Sequence, residues 1–155
     1  MYFTLESTVW GGGTAFYDPD RTGEVPARAY LLTAGQFSDI AAQEMHREPG
    51  ADLPLAGVLR AGRDRLESGP YGTLVCPGSL DDVPVLTFTA PGGLADAEPR
   101  APRAGYLRTV AAGLAETHGW GPRRAAEYLG SRPGAATGWT RETLLRALTD
   151  PADDV

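Results

Sequence analysis

The chain contains one cysteine and two histidines, and this scarcity excludes several kinds of site. A single cysteine, Cys76, cannot form an internal disulfide bond. His46 and His118 are too far apart in sequence for a helical metal-binding pair, and no cysteine pair accompanies them. A structural zinc site, and a zinc hydrolase or deacetylase with its histidine and aspartate ligands, are therefore not expected. We predict a protein that uses neither a metal nor a cofactor.

Clustered positive charge and long apolar runs are also missing. The formal net charge is -6 at pH 7 and the pI is about 4.8, so we expect no nucleic-acid partner and no binding to an anionic membrane. No run of about eighteen apolar residues is present, and the N-terminus lacks a basic segment followed by an apolar one. We therefore expect no membrane span, no signal peptide and a cytoplasmic location. The Gly-x-Ser-x-Gly turn of many serine hydrolases is absent as well.

The remaining composition is that of a globular domain. Of the 155 residues, 42% are hydrophobic and 22% charged, which is enough for one sizeable core. Five segments rich in β-forming residues predict strands at 1–10, 14–17, 25–32, 71–75 and 83–89. The turn at 18–23 predicts an antiparallel hairpin of the second and third strands, and Pro84 favours a sheet edge. The order of elements indicates an α+β fold with a mainly antiparallel sheet.

Helices are predicted between these strands and after them. A short apolar helical turn is expected at 53–59, followed by a solvated charged stretch at 60–67, and 91–102 reads as a surface loop. Three helices close the chain, and their ends are marked by Gly119, Pro122, Gly130 and the N-cap residue Thr140. We predict one domain over 1–130 and a C-terminal helix with an acidic tail over 131–155.

One short helix carries a carboxylate where apolar residues are expected. Thr33 and Gln36 form a capping box that places the helix start. Counted from there, Glu44 shares a face with Phe37 and Ile40. Burial without a cationic partner raises the pKa of a glutamate toward neutrality, as a general acid/base requires. The alternative is a glutamate at a frayed helix end that faces solvent or pairs with Arg47.

Three consecutive glycines, Gly11 to Gly13, interrupt the first strands. They lack the lysine of a phosphate-binding loop and the strand-to-helix context of a dinucleotide fingerprint. Their small size favours close approach of another backbone, or of a small ligand, to the strand.

The ordered set of these segments resembles the γ-glutamylcyclotransferase-like family. The resemblance is carried by the Trp-Gly-Gly-Gly sequence within 7–15, the apolar segment 25–32 and the helix ending at Glu44, and it continues at Tyr71, 85–88 and 102–107. It spans roughly Thr4 to Leu129.

Family resemblance implies a fold and a reaction. The fold would be a small mixed, barrel-like sheet packed by helices, to which this chain adds a C-terminal helical extension. The reaction would be internal acyl transfer, which converts a γ-glutamyl amine into 5-oxoproline and a free amine. The resemblance assigns the general acid/base role to Glu44. It assigns substrate contacts to Trp10, Gly11, Gly12, Tyr71 and Tyr106.

The family's Tyr-Gly-Ser-Asn strand and loop, whose N–H groups hold the substrate and stabilise the oxyanion, are not in this sequence. The expectations left open are a truncated enzyme, an enzyme whose missing strand is supplied otherwise, and a degenerate member that acts as a binding or interaction module. A missing strand would also expose a sheet edge, through which the chain could form a homo-oligomer.

Overall fold

A computed structural model of the chain describes residues 1–66 and 69–150. The predicted acidic tail at 151–155 and residues 67 and 68 of the predicted charged stretch lie outside the described residues. In chain order the elements are β1 (Tyr2–Glu6), β2 (Gly13–Phe16), α1 (Ala34–Glu44), α2 (Ala56–Ala61), β3 (Arg63–Arg65), β4 (Thr73–Leu80), β5 (Val83–Thr89), a 3-10 helix (Leu94–Asp96), α3 (Ala104–His118), α4 (Pro122–Gly130), α5 (Ala135–Gly138) and α6 (Arg141–Thr149).

The chain divides into two compact units, each with helices and antiparallel strands. The first unit consists of Met1–Asp18, Gly23–Pro26 and Leu94–Val155, and the second of Pro19–Thr22 and Ala27–Gly93. The predicted α+β class is confirmed. Instead of one barrel-like sheet, the described residues form two antiparallel sheets, of two and three strands, and neither closes into a barrel.

The first unit is built on the pair β1–β2 and the helices α3, α4 and α6. Phe3 lies opposite Ala15 in the antiparallel pair, and its side chain is fully buried together with those of Leu107, Leu129 and Leu144. Leu144 belongs to α6, so the last helix packs on the same core as the helices before it. The predicted boundary after residue 130 stays a prediction.

The ends of these helices follow local rules, as predicted. α3 is capped by Gly119 in the left-handed conformation, with φ of 64°. Pro122 occupies the first turn of α4, where its missing N–H costs no hydrogen bond. Thr140 caps α6 and exchanges hydrogen bonds with Thr143 in a capping box. The longest described helix has 15 residues, and no described helix is both long and apolar enough to cross a membrane.

The second unit contains α1, α2 and a sheet of order β3-β4-β5. β4 and β5 form a hairpin around Asp81 and Asp82, whose φ values of 49° and 61° are those of a type I′ turn. Pro84 lies near the start of the edge strand β5, as predicted. Pro77 lies in the central strand, at the irregularity between Val75 and Gly78, where the ladder is interrupted and no N–H is needed.

The predicted strand at 25–32 is wrong, because this segment has no helix or strand. Pro26 cannot donate a ladder hydrogen bond, and the apolar side chains of Tyr30 and Leu31 are 66% and 88% exposed, so the segment lacks a buried face. The antiparallel partner of β2 is therefore β1 and not this segment. Conversely, β3 lies within the stretch predicted to be solvated, and its charged residues concealed its pairing with β4.

The ring of Tyr128 is well packed, but its hydroxyl is not satisfied. The ring contacts Trp120 edge-to-face, with centroids 5.3 Å apart, and Arg132 stacks over it at 4.5 Å. Among the described residues, the buried Tyr128 Oη has no hydrogen-bond partner. Burial raises the pKa of Tyr128, and the nearby Arg132 guanidinium opposes that shift.

We predict that Tyr128→Phe stabilises the protein by about 1 kcal/mol at pH 7, because it keeps the ring contacts and removes an unsatisfied buried hydroxyl. The raised folded-state pKa means that the unfolded chain loses the tyrosine proton first. Wild-type stability should thus fall as the pH rises above about 10, and the variant should lack this part of the fall. Urea denaturation at pH 7 and above pH 10 measures the free energy of unfolding, with Tyr30→Phe at an exposed tyrosine as the control. A Tyr128→Phe variant that is less stable than the wild type at pH 7 would contradict the prediction.

Candidate functional site

The predicted start of α1 is confirmed, and its geometry positions Glu44. Gln36 N donates to Thr33 Oγ1 at 3.2 Å, and Thr33 N donates to Gln36 Oε1 at 2.9 Å. The helix runs from Ala34 for eleven residues and ends at Glu44. His46, with φ of 56°, then turns the chain away, and its side chain is exposed.

The prediction that Glu44 lies on the buried face of α1 is wrong, because its side chain is exposed. The covered residues are Ser38 and Ala41, each 1% exposed, whereas Ile40 is 40% exposed. The cause is the segment after the helix, which returns along the Ser38 side. Ser38 Oγ donates to Ala34 O at 2.8 Å and accepts from Leu53 N at 3.0 Å.

Glu44 therefore presents an accessible carboxylate. Within residues 1–66 and 69–150 it makes no ion pair and no hydrogen bond, so the predicted alternative of a pair with Arg47 is not formed. Ile40 lies one turn earlier on the same side of the helix and is half exposed. The end of α1 thus combines a free hydrogen-bond acceptor with an apolar neighbour.

Tyr71 belongs to an aromatic cluster of the second unit. Its ring meets Phe88 edge-to-face, with centroids 5.6 Å apart, and Phe88 lies 5.9 Å from Phe37 of α1. Tyr71 and the helix that carries Glu44 are thereby packed into one unit. The roles assigned to Tyr71 and Glu44 by the family resemblance stay predictions.

The other predicted contact residues come together in the first unit. The rings of Trp10 and Tyr106 are 5.9 Å apart, and Ala15 N donates to Tyr106 Oη at 3.2 Å. Gly11 and Gly12 follow Trp10 directly, both with positive φ, of 69° and 65°. Trp10, Gly11, Gly12 and Tyr106 are thus neighbours, and their substrate-binding role stays a prediction.

The three glycines permit a close approach of two backbone segments. Of the two explanations expected from the sequence, another backbone or a small ligand, the structure shows the first. Gly13 N donates to Ala101 O at 2.9 Å, and Gly12 forms a bridge with Pro102. A Cβ on Gly12 would lie 2.6 Å from Ala101 O, and one on Gly13 would overlap the carbonyl of Arg100. The segment 100–103, predicted as part of a surface loop, is therefore held against the strand pair.

A cleft of about 360 Å³ opens beside this contact, entirely within the first unit. Its lining residues include Glu6, Gly12, Arg100, Arg103 and Trp139. Arg100 Nη1 donates to Glu6 Oε2 at 2.6 Å, with both side chains at least half exposed. Trp139 Nε1 donates to Pro102 O at 2.8 Å, which fixes the indole.

Sequence reasoning missed Glu6, Arg100 and Trp139 as members of one site. Glu6 and Arg100 are 94 residues apart in sequence, and Trp139 falls in the segment predicted to be an extension. The available signal was the Pro-Arg-Ala-Pro-Arg sequence at 99–103, which pairs two arginines with rigid proline positions. No metal site was predicted, and no group of three histidine, cysteine, aspartate or glutamate side chains in the described ranges could hold a metal ion.

Comparison with known proteins gave one relevant likeness. The chain is 28% identical over 147 residues to Histone deacetylase 5 of Arabidopsis thaliana, an alignment that covers 83% of this chain and 22% of that protein. The chain thus spans about a fifth of the length of the curated relative it matches. No protein-family model matches the chain. No solved structure matches it either.

We predict that Gly13→Ala lowers the free energy of unfolding by about 1–3 kcal/mol, because its Cβ would overlap the Arg100 carbonyl. Gly113→Ala is the matched control: Gly113 lies within α3 with nothing within 4 Å of a Cβ, so this change should stabilise by about 0.5–1 kcal/mol. Urea denaturation followed by circular dichroism measures both. Equal effects of the two substitutions would contradict the close backbone approach.

Proposed function

We propose that the chain is a γ-glutamylcyclotransferase-like protein that converts a γ-glutamyl amine into 5-oxoproline and a free amine. The observation that carries the proposal is Glu44 itself, the last residue of α1, whose accessible carboxylate has no ion pair or hydrogen bond within residues 1–66 and 69–150. A general base needs a free lone pair, which Glu44 has, and substrate binding would have to hold its exposed side chain in position. The ordered resemblance of the surrounding segments supports the assignment.

The reaction needs one proton-transferring group and good positioning. The neutral α-amine attacks the side-chain carbonyl carbon of the γ-glutamyl group, forming a new C–N bond and closing a five-membered ring. The bond from that carbon to the departing nitrogen then breaks. Glu44 takes the proton from the attacking amine and returns it to the leaving nitrogen, so no water or other reactant is consumed. Since both reacting groups belong to one molecule, orientation supplies much of the acceleration.

Because Glu44 is exposed, the bound substrate itself would have to shield its carboxylate from water. A ligand that covers Ile40 and Glu44 would remove water from the carboxylate, and a carboxylate with less hydration is a stronger base. The printed sequence contains no Tyr-Gly-Ser-Asn loop to stabilise the oxyanion. One oxyanion donor contributes about 3 kcal/mol, so the chain by itself should turn over on the order of 100-fold more slowly than with such a donor.

The exposed position of Glu44 also favours a second candidate function. A protein that kept the fold but lost the substrate loop would be a non-catalytic binding or interaction module, and such a module has no need of a shielded carboxylate. The match to a segment that makes up about a fifth of a longer protein is compatible with this role. The name of that relative describes the longer protein and carries no activity to this chain.

Location and self-association belong to the same proposal. We propose a cytoplasmic protein without nucleic-acid or membrane partners, consistent with its net charge of -6. Self-association through a sheet edge would use β5, the edge strand of its sheet, where the side chain of Val83 is half exposed. Pro84 in the same strand lacks an N–H and weakens that edge.

Glu44→Gln should lower formation of 5-oxoproline from γ-glutamyl amines by at least about 100-fold, because the amide cannot accept the amine proton. The matched control is Glu48→Gln, an exposed glutamate four residues later, which should keep wild-type turnover. Product formation by both variants is followed chromatographically. Undiminished turnover in Glu44→Gln would refute its role, and no turnover by the wild type, with intact binding of the substrate, would favour the binding module.

Self-association through β5 has its own test. The sedimentation coefficient should rise with protein concentration, and Leu86→Pro should reduce that rise, because the N–H of Leu86 alternates with that of Thr87 and faces away from β4. Circular dichroism of the variant checks that the sheet persists. A sedimentation coefficient that does not change with concentration would rule out the oligomer.

A further inference from the structure

The cleft of the first unit is lined by charged residues to which the proposed reaction assigns no role. Its charged lining consists of two arginines and one glutamate, in a chain whose net charge is -6. The Glu6 carboxylate is already engaged by Arg100 at 2.6 Å. The charge left over at the cleft is therefore positive, and it resides on Arg103.

Arg103 is the free cation of this lining. In the part of the chain that the structure describes, its side chain makes no ion pair and no hydrogen bond. Its aliphatic stem lies beside Gly11 and Gly12: a Cβ on Gly12 would come 3.4 Å from Arg103 Cγ. The side-chain stem of Arg103 thus packs against the backbone of Gly12. All N–H donors of its guanidinium are available, and their planar arrangement matches that of a carboxylate.

Besides the positive charge of Arg103, the cleft has an apolar side. Trp139 lines the cleft, and its Nε1–H already donates to Pro102 O. A ligand could therefore contact the indole ring but could not receive its hydrogen bond. Gly138, the last residue of α5, adds no side chain, and Pro102, which also lines the cleft, is buried. The volume of about 360 Å³ is that of a site for a small organic molecule.

We propose that this cleft binds a small monocarboxylate with an apolar body, its carboxylate on Arg103 and its apolar part against Trp139. The Glu6–Arg100 pair fixes one side of the cleft and limits the net charge of the lining to one positive charge, which matches a monoanion. This inference does not involve Glu44, which belongs to the second unit, and of the predicted substrate contacts the cleft includes Gly12 alone.

The test uses the full chain and two isosteric probes, 4-methylpentanoate and its uncharged amide. In 1H–15N spectra, titration with the carboxylate should shift the Nε signal of Arg103 and the Nε1 signal of Trp139, and the amide should shift neither. Arg103→Gln should weaken carboxylate binding at least about tenfold, because it removes a charge-assisted contact. Arg123→Gln, an exposed arginine of α4 outside the cleft, should bind as the wild type does.

Several results would overturn the proposal. These are no shift at millimolar carboxylate, equal binding of the amide, or equal binding by Arg103→Gln when circular dichroism shows it folded. Added salt should weaken the carboxylate complex, since the exposed guanidinium is screened. Inorganic phosphate that binds as tightly as the carboxylate, with no shift of Trp139, would show a nonspecific anion contact and would also refute it.

Discussion

The first unit depends on the close approach of two backbone segments, 11–13 and 100–103. Because Gly12 and Gly13 have no side chains, the carbonyls of Arg100 and Ala101 can lie at distances that any Cβ would prevent. The contact holds the segment before α3 against β1 and β2, where Arg100 N also donates to Phe3 O at 3.0 Å. Both the start of α3 and the wall of the cleft are therefore set by the absence of two side chains.

Hydrogen bonds from distant backbone segments also determine which charged side chains are exposed. Arg103 is the last residue of the segment 100–103, so its backbone is held in place, whereas Glu44 lies at the end of a helix whose other side is fixed by hydrogen bonds of Ser38. In each unit, a backbone hydrogen bond from a distant segment determines which side of an element is covered. The exposed side then holds the charged group, free of partners within the described residues.

Local hydrogen bonding made part of this fold predictable from the sequence. Thr33 with Gln36, Thr140 with Thr143, and Gly119 mark helix ends through contacts within a few residues, and each was located correctly. The strand partner of β2 was not, because the segment 25–32 lacks a buried face, and the buried face of α1 was not, because it depends on a distant segment. Leu53 returns to Ser38 across 15 residues, and no periodicity within the helix reveals it. The cleft escaped prediction for the same reason, since Glu6 meets Arg100 across 94 residues.

The division into two units has a practical consequence for spectroscopy. All three tryptophans, Trp10, Trp120 and Trp139, belong to the first unit, and the single cysteine, half-buried Cys76, belongs to the second. Tryptophan fluorescence therefore reports on the first unit alone, and a thiol-reactive dye at Cys76 reports on the second. Melting curves recorded with the two probes should coincide if the units unfold in one cooperative step and differ if they unfold separately.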